Sequence, residues 1–396
     1  MIDGYPKPIR VCSVEKLRDT WKRNYNKNFK NKASGIDSVS AIDYHKNLED
    51  NIGHLNSRIR NKSYKHKPLR PIVFDKEDGA KRIICVPTVE DRLVQRRLLE
   101  FLRDGDKLGV INKSSFGFRK NSGVKDAVNK AKNLRNERTW ALKADISSFF
   151  DTIPRDAMHV KIRRRLQRSS VVPILQQVVE TEEKSVSRQQ RYEIREAGLE
   201  KGKGLRQGMP LSPVLSNVFL SDFDKWCEKK RINLVRYADD FVIFASSEEE
   251  IFRIHDEVSS KLNDIGLDLS KNKTYIRRPE HSVEFLGYNI SRLGKSKQYV
   301  PTIPDRVFEN TRCRLQEFSD VDMLLRDYGS LSKSVRVLDT VYRSYLAAYD
   351  GAHNLDDYKN VLADNRRNVM KTILKTIFGK ESVSMLNEEM LEFICR

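Results

Sequence analysis

Two adjacent aspartates, Asp239 and Asp240, separate two short runs rich in apolar β-branched and aromatic residues, 234–237 and 241–245. Runs of this kind around a short polar centre predict a β-hairpin with both carboxylates at its turn. Adjacent carboxylates repel each other, and they become favourable when a divalent cation neutralises them. The hairpin therefore predicts half of a magnesium site, and a solvated acidic turn is the simpler alternative for an isolated pair.

A second acid follows another β-like run. Residues 140–146 predict a short buried strand in which Asp145 is the acid near the end. Neighbouring strands lie about 4.7–4.9 Å apart, so carboxylates at two strand ends can share a pair of ions. Such a pair, roughly 3.5–4 Å apart, activates an attacking hydroxyl and stabilises a leaving oxygen at phosphorus. Asp145 and Asp239 together therefore predict nucleotidyl transfer.

Composition limits the partners of this chain of 396 residues. Its 74 Lys and Arg against 55 Asp and Glu give a formal net charge of +19, which favours a polyanionic partner such as nucleic acid. No apolar run is long enough to span a bilayer, and no signal pattern begins the chain, so no membrane partner is expected. The cysteines have neither zinc spacing nor a disulfide pattern, which predicts a reducing, cytoplasmic location: Cys12, Cys85, Cys227, Cys313 and Cys395.

Local patterns predict interleaved helices and strands. Residues 1–66 are expected to be mainly helical, with apolar residues at helical spacing between Leu48 and Ile59. Predicted strands lie at 69–74, 82–86, 140–146, in the 234–245 hairpin and at 283–290, with turns or loops at 33–37, 75–79 and 200–204. Predicted helices lie at 89–102, 126–134, most of 155–206, 212–226, 247–265 and from 304 to the end. Ser212 is expected to cap the helix 212–226, with Pro213 in its first turn. This order predicts an α+β body with an appended helical module.

Eight segments resemble, in order, the motifs of bacterial reverse transcriptases of the group II intron lineage. Those similar to the palm motifs are Ala144–Asp151, Arg206–Pro213, Tyr237–Asp240, Gly266–Thr274 and Glu284–Tyr288. Those similar to the N-terminal and fingers motifs are Ser34–Asp37, Lys81–Pro87 and Ser115–Arg119. The resemblance covers roughly residues 30–350, and an ordered set is far more specific than one motif.

The resemblance implies a right-hand polymerase with fingers, a palm built on an antiparallel sheet, and a helical thumb. The implied division is an N-terminal helical extension with the first fingers motif at 1–66, fingers at 67–140, palm at 141–300 with a charged helical insertion at 155–206, and thumb and tail at 301–396. The implied activity is RNA-directed DNA synthesis with two Mg²⁺ ions, for which Mn²⁺ can substitute.

The family's catalytic roles map onto five positions of this sequence. By resemblance, Asp145 and Asp239 are the metal ligands, and the Ile146 carbonyl is a backbone ligand. Asp240 resembles the less direct second acid, which tunes the site electrostatically. Lys273 resembles a lysine that protonates the departing pyrophosphate.

Substrate-binding roles carry over in the same way. Phe150 resembles the ring that excludes a 2′-hydroxyl and so selects deoxynucleotides, although an aromatic residue here is otherwise a core residue. Gln207 resembles the residue beside the incoming nucleotide and template. Lys81 and Arg82 resemble the cations that grip the triphosphate, and Arg119 resembles a contact to the template or the triphosphate.

Two further segments resemble nucleic-acid contacts. The residues similar to the primer grip are Phe285, Leu286, Gly287 and Tyr288. The alternative interpretation of this segment is a buried strand with a bulge. The residues similar to a thumb helix that lines a duplex are Tyr342, Arg343 and Tyr345. The alternative interpretation is a helix that packs only within its own bundle. The basic stretch 161–168 is expected either to contact nucleic acid or to form a solvated helix face.

The resemblance is strongest to standalone bacterial reverse transcriptases. It implies a template RNA that is a structured non-coding RNA, dNTP substrates, a cDNA product, an accessory protein in some systems, and a role in antiphage defence. Target-site cleavage is not expected, because no paired cysteines indicate a zinc endonuclease module. Three alternatives stay open: an RNA-dependent RNA polymerase, against which Phe150 and the fingers motifs argue; a non-catalytic RNA-binding maturase; and a template-independent or protein-primed DNA polymerase of the abortive-infection type.

Overall fold

The structure is a computed structural model that describes residues 8–30, 32–75, 79–167, 169–294, 296–379, 381 and 385. Parts of the sequence predictions lie outside these residues: positions 1–7 and 31 of the helical region 1–66, the turn residues 76–78, Arg168 of the basic stretch, and the continuation of the helical region beyond residue 379. Cys395 also lies outside them. Within them, Cys12, Cys85, Cys227 and Cys313 are free thiols, and no helix is both long enough and apolar enough to cross a membrane.

The described part is a mixture of helices and antiparallel strands. Its strands are β1 Arg70–Asp75, β2 Lys81–Val86, β3 Trp140–Asp145, β4 Asn233–Tyr237, β5 Asp240–Ala245, β6 Tyr275–Arg277, β7 Val283–Phe285, β8 Tyr288–Arg292 and β9 Tyr299–Thr302. Its α-helices are α1 Pro8–Val11, α2 Val14–Asn24, α3 Ala41–Lys46, α4 Leu48–Arg60, α5 Val89–Arg103, α6 Val124–Glu137, α7 Phe149–Thr152, α8 Arg155–Leu166, α9 Val172–Glu180, α10 Arg188–Glu196, α11 Ser212–Lys229, α12 Glu248–Asn263, α13 Asp305–Gln316, α14 Val321–Tyr328, α15 Leu331–Ala348 and α16 Leu355–Phe378.

Three sheets organise these strands. Their orders are β1-β2, β4-β5-β3-β6 and β7-β8-β9. The β1–β2, β3–β6, β7–β8 and β8–β9 pairs are antiparallel. The four-stranded order matters most for function, because it places β5 beside β3 although a long, mainly helical stretch separates them in the chain.

The chain forms two compact units. The first comprises Met1–Gly123, Ala144–Ile243 and Phe252–Thr274. In its core, α5 packs against α2 and α11 packs against α8, with Leu98 and Phe219 fully buried. The second comprises Val124–Lys143, Phe244–Ile251 and Tyr275–Arg396. There α6 packs against β8 and β9, and α16 packs against α13 and α15.

Strong periodic patterns are confirmed. The apolar spacing between Leu48 and Ile59 produces α4, which buries Ile52, Leu55 and Ile59, as a helix with one apolar face must. The two runs around Asp239 form β4 and β5. The predicted strands 69–74 and 82–86 form the antiparallel pair β1–β2, in which Ile83 and Cys85 are buried.

The predicted cap of α11 is wrong. The N-cap residue is Leu211, which provides no side-chain cap, and Ser212 already lies within the helix. The Ser212 hydroxyl instead donates to the carbonyl of Arg206, at 2.8 Å. Because that carbonyl is buried and needs a donor, this loop contact takes the hydroxyl away from capping. Pro213 lies in the first turn, as predicted.

The single strand predicted at 283–290 is also wrong. The segment is a tight hairpin, in which Phe285 pairs with Tyr288. Leu286 and Gly287 form its turn with φ of 53° and 82°, and positive φ at both central residues is the geometry of a type I′ turn. Two short strands, β6 and β9, were not predicted, because three or four residues carry too little alternation to be recognised.

Candidate active site

The β4–β5 turn lies beside the end of β3. The turn residues are Ala238 and Asp239, and β3 ends at Asp145. The amide of Ile146 donates a hydrogen bond to the carbonyl of Asp239, at 3.3 Å. This backbone contact places Asp145 and Asp239 on neighbouring strand ends, the arrangement that the sequence predicts.

A second segment flanks Asp145 on the opposite side. Ser270 donates its amide to the carbonyl of Asp145, and Ser147 donates its amide to the carbonyl of Asp268, both at 2.8 Å. The same loop continues to Lys273, whose Nζ lies 3.4 Å from Oδ2 of Asp145. The Lys273 side chain is 67% exposed and that of Asp145 is 17% exposed. The loop thus brings an exposed cation to the edge of a largely covered carboxylate.

The oxygen donors at this place suit a hard divalent cation that takes its remaining ligands from the substrate. Ile146 directs its N–H toward Asp239, and in extended backbone the carbonyl of a residue points to the same side as its N–H. Among the described residues, no three His, Cys, Asp or Glu side chains form a metal-binding cluster. The oxygen donors that the sequence predicts here, two carboxylates and a carbonyl, are of the kind that hard divalent cations take, with further ligands from water and phosphates. Asp240 begins β5 and is not part of a three-acid cluster with them.

A buried arginine that the sequence analysis did not single out holds the turn. Arg236 and Asp224 are both fully buried and form an ion pair, with Nε–Oδ1 at 2.7 Å and Nη2–Oδ2 at 2.5 Å. The same guanidinium donates to the carbonyl of Ala238, at 2.8 Å, to Oδ1 of Asn217, at 3.1 Å, and to Oγ of Ser115, at 2.9 Å. One of these bonds holds the carbonyl of Ala238, the residue before Asp239. A charged residue inside an otherwise apolar predicted strand is the signal that could have revealed it.

The segment 114–117 supports the same turn. Arg236 donates its amide to Ser114 and accepts from the amide of Phe116, both at 2.8 Å. A Cβ on Gly117 would lie 2.8 Å from the amide nitrogen of Ala238, so only glycine permits this approach. Ala238 itself has a φ of 60°, which is uncommon for a residue with a side chain and which the surrounding bonds must maintain.

The adjacent residues Phe149 and Phe150 differ in burial. Phe149 is buried in the core of the first unit, whereas Phe150 is half-buried. Their ring centroids lie 5.5 Å apart, and the carbonyl of Phe150 accepts from the amide of Leu205, at 2.6 Å. Phe150 is therefore not fully buried in the core, and its role in selecting the sugar stays a prediction.

The β1–β2 hairpin meets the loop before α11. Gln207 Oε1 accepts from Nε of Arg82, at 3.1 Å, and its carbonyl accepts from the amide of Cys85, at 2.7 Å. Gly208 has a φ of 102°, and a Cβ there would lie 2.6 Å from the Cys85 carbonyl. Two of the predicted substrate contacts, Arg82 and Gln207, are thus brought together by the fold.

Lys81 and Arg119 have structural partners of their own. Lys81 Nζ lies 2.6 Å from Asp75, and the hydrogen bond to that carboxylate raises the pKa of Lys81. Arg119 donates to the carbonyls of Asn112, at 2.8 Å, and Ser115, so it fixes the loop that supports the turn. Their substrate contacts stay predictions.

The predicted nucleic-acid contacts of the second unit are partly core residues. Phe285 and Tyr288 are buried, and the Tyr288 hydroxyl donates to the carbonyl of Ala348, at 2.8 Å. Leu286 and Gly287, at the hairpin turn, keep partial exposure. In α15, Arg343 is exposed, and Tyr342 and Tyr345 are half-buried. The roles of these residues stay predictions.

Comparison with known proteins identifies one family. The family model described as "Reverse transcriptase (RNA-dependent DNA polymerase)" matches residues 74–290. Protein YkfC of Escherichia coli is 25% identical over an alignment that covers 70% of this chain and 81% of YkfC.

Intron-encoded proteins match over a smaller share of their length. The putative COX1/OXI3 intron 1 protein of Saccharomyces cerevisiae is 24% identical, with 60% of this chain and 34% of that protein covered. The group II intron-encoded protein LtrA of Lactococcus lactis is 23% identical, with 61% of this chain and 50% of LtrA covered. The chain thus spans about a third to a half of these intron-encoded proteins.

Solved structures are similar at lower identity. The apo telomerase from Candida tropicalis is 14% identical, with a TM-score of 0.47, and the match covers 83% of this chain and 68% of that chain.

Proposed function

The chain belongs to the reverse transcriptase (RNA-dependent DNA polymerase) family, and from this premise we propose that it copies RNA into DNA at the site formed by Asp145 and Asp239. The observation that carries the proposal is the backbone bond from Ile146 to Asp239. It joins the two carboxylate-bearing strand ends within one compact unit, where nucleotidyl transfer needs them.

We propose that Asp145, Asp239 and the Ile146 carbonyl hold the divalent cations on which such enzymes depend, and that Mg²⁺ is the ion. When bound there, a pair of such ions lowers the pKa of the attacking hydroxyl and stabilises the leaving oxygen. Lys273, 3.4 Å from Asp145, holds a proton on Nζ that it can give to the departing pyrophosphate. Its exposed, flexible side chain suits this role, because the proton must follow a leaving group out of the site.

Arg82 and Gln207 orient the incoming nucleotide in this proposal. Their mutual hydrogen bond fixes the guanidinium plane, and an oriented guanidinium can bind phosphate oxygens through two parallel bonds. Gly208 brings the loop against β2, so that both side chains face the same space.

Phe150 sets the choice of sugar. Replacing Phe150 by Ala is expected to relax the preference for dNTPs over rNTPs by about ten- to a hundred-fold, because a half-buried ring that blocks the 2′-hydroxyl is removed. Extension of a DNA primer on an RNA template with each nucleotide set measures this ratio. The parent protein should use dNTPs and require the RNA.

Other results would favour the alternatives. Efficient rNTP incorporation by the parent protein would indicate an RNA polymerase, and synthesis without RNA would indicate a template-independent enzyme. If Phe150→Ala discriminates as well as the parent, the assignment of the sugar gate is wrong. The matched control is Phe252→Ala, an exposed ring in the same unit, which should leave the ratio unchanged.

We further propose that the template is a structured non-coding RNA, that the setting is antiphage defence, and that an accessory protein takes part. Only the resemblance to standalone bacterial reverse transcriptases supports these three points. Sequencing the nucleic acid that co-purifies with the protein from its native host tests the first of them. One dominant RNA with attached cDNA is expected, and a heterogeneous RNA pool without cDNA would contradict the proposal.

A further inference from the structure

A basic cleft lies between the segment 183–185 and helix α10. None of the candidate active-site residues lines it. It encloses about 690 Å³. We call it the α10 cleft, and its lining side chains include Glu183, Lys184, Arg191, Ile194, Arg195 and Lys201. Four of these six are cations, and all four are exposed.

The walls of the cleft are fixed by the backbone of neighbouring elements. Leu69 donates its amide to the carbonyl of Glu182 and accepts from the amide of Lys184, both at 2.9 Å. On the other wall, Gln190 of α10 donates to the carbonyl of Pro71, at 3.1 Å. Ser187 caps α10 by accepting from the amide of Gln190. Both walls are therefore attached to residues at the start of β1, and the cleft exists before any ligand arrives.

The acid in the lining is already neutralised. Oε2 of Glu183 accepts from Nε of Arg206 at 2.5 Å, and the Arg206 side chain is fully buried. Among the residues that the structure describes, none of the four cations has an ion-pair partner: Lys184, Arg191, Arg195 and Lys201. The cleft thus presents a concentrated positive charge to solvent.

The two acids of α10 form hydrogen bonds along the helix itself. Glu193 accepts from Nε2 of Gln189, at 3.0 Å, and Glu196 accepts from the hydroxyl of Tyr192, which raises the pKa of that tyrosine. Arg191 and Arg195 stand four residues apart, a spacing at which like charges destabilise a helix. A bound polyanion would remove that cost.

We propose that the α10 cleft binds the phosphate backbone of a folded RNA, through residues other than those proposed to hold the incoming nucleotide. Residues four apart on a helix have Cβ atoms about 5–6 Å apart, so Arg191 and Arg195 can reach consecutive phosphates of one strand. Guanidinium groups bind phosphate through paired hydrogen bonds, and lysines add point charges on either wall. The choice of RNA over other polyanions rests on the proposed function. The second binding place would retain a structured template while its end is copied.

A four-fold substitution tests the proposal in the full-length chain. In the test variant, Lys184, Arg191, Arg195 and Lys201 are each replaced by Gln. In the matched control, the same change is made at four exposed cations elsewhere in the first unit: Arg60, Lys225, Lys229 and Arg231. The probe is an RNA hairpin without a primer, and its affinity is measured across a salt titration. A DNA hairpin of the same sequence and vesicles rich in phosphatidylglycerol are the comparison ligands.

The test variant is expected to bind the RNA hairpin at least about ten-fold more weakly, with a salt slope reduced by about three to four, because roughly one unit is lost for each phosphate contact. The control should match the parent, and a short primer–template should be extended equally by all three. Unchanged RNA affinity, an equal loss in the control, or a loss confined to the DNA hairpin or to the vesicles would overturn the proposal. Failure of the parent to extend any primer would sink the proposed function alone, since hairpin binding is read without synthesis.

Discussion

Replacing Asp239 by Asn is expected to lower the rate of DNA synthesis on RNA by about a thousand-fold or more, because one of two carboxylates that hold the divalent cations loses its charge. The backbone bond between Ile146 and Asp239 does not involve the side chain, so the fold should be retained. Single-turnover extension of a DNA primer on an RNA template measures the rate. The matched control is Asp264→Asn, an exposed acid of the same unit that pairs with Lys261, which should extend the primer as the parent does.

Affinity for RNA should stay unchanged in Asp239→Asn. This combination separates an enzyme from an RNA-binding maturase, since a maturase would keep its function in both variants. If Asp239→Asn extends the primer at the parental rate, the assignment of the catalytic site is wrong.

Replacing Arg236 by Met should lower the free energy of unfolding by about 3–5 kcal/mol, because it leaves Asp224 buried without its counter-charge. Chemical denaturation measures this loss. Adding Asp224→Leu should recover much of it, since replacing both members of a buried ion pair by apolar residues is often nearly neutral.

In the double variant Arg236→Met/Asp224→Leu, we expect the stability to recover and the turnover to stay low. The Ala238 carbonyl loses the guanidinium that holds it at 2.8 Å, so the turn that carries Asp239 is no longer fixed, and turnover should stay low although the protein is folded. Full recovery of turnover in Arg236→Met/Asp224→Leu would show that the pair serves stability alone. An unchanged unfolding free energy in Arg236→Met would show that the pair is not needed at all.

Local sequence patterns predicted the elements that have one apolar face, such as α4, and the strands on either side of a polar turn, such as β4 and β5. The spacing of Ile52, Leu55 and Ile59 specifies the buried face of α4. The apolar runs on either side of Asp239 specify β4 and β5. The division into domains at residues 66, 140 and 300 stays a prediction, and the two compact units each draw on three separate segments, which composition along a chain does not reveal.

The errors occurred where long-range contacts decide local structure. Ser212 caps nothing because a buried carbonyl six residues earlier takes its hydroxyl. The 283–290 region is a hairpin because Leu286 adopts a positive φ beside Gly287, a conformation that a leucine rarely signals in a sequence.

In the candidate site too, some features could be predicted from local sequence and others could not. The two strand-end aspartates could be predicted because each follows a strong β run. Arg236 could not be assigned its role, because only the fold brings it to Asp224 on the preceding helix and to Ser115, 121 residues away. Phe149 and Phe150 are chemically identical, and only the fold shows which of them is the core residue.

The most direct measurement is Mn²⁺ binding by electron paramagnetic resonance, in the presence of a primer–template and a non-hydrolysable dNTP. The parent protein should bind a pair of ions, and the variant Asp145→Asn/Asp239→Asn should lose both while it still binds the primer–template. Equal stoichiometry and affinity for Mn²⁺ in the two proteins would contradict the claim that these aspartates hold the ions for DNA synthesis.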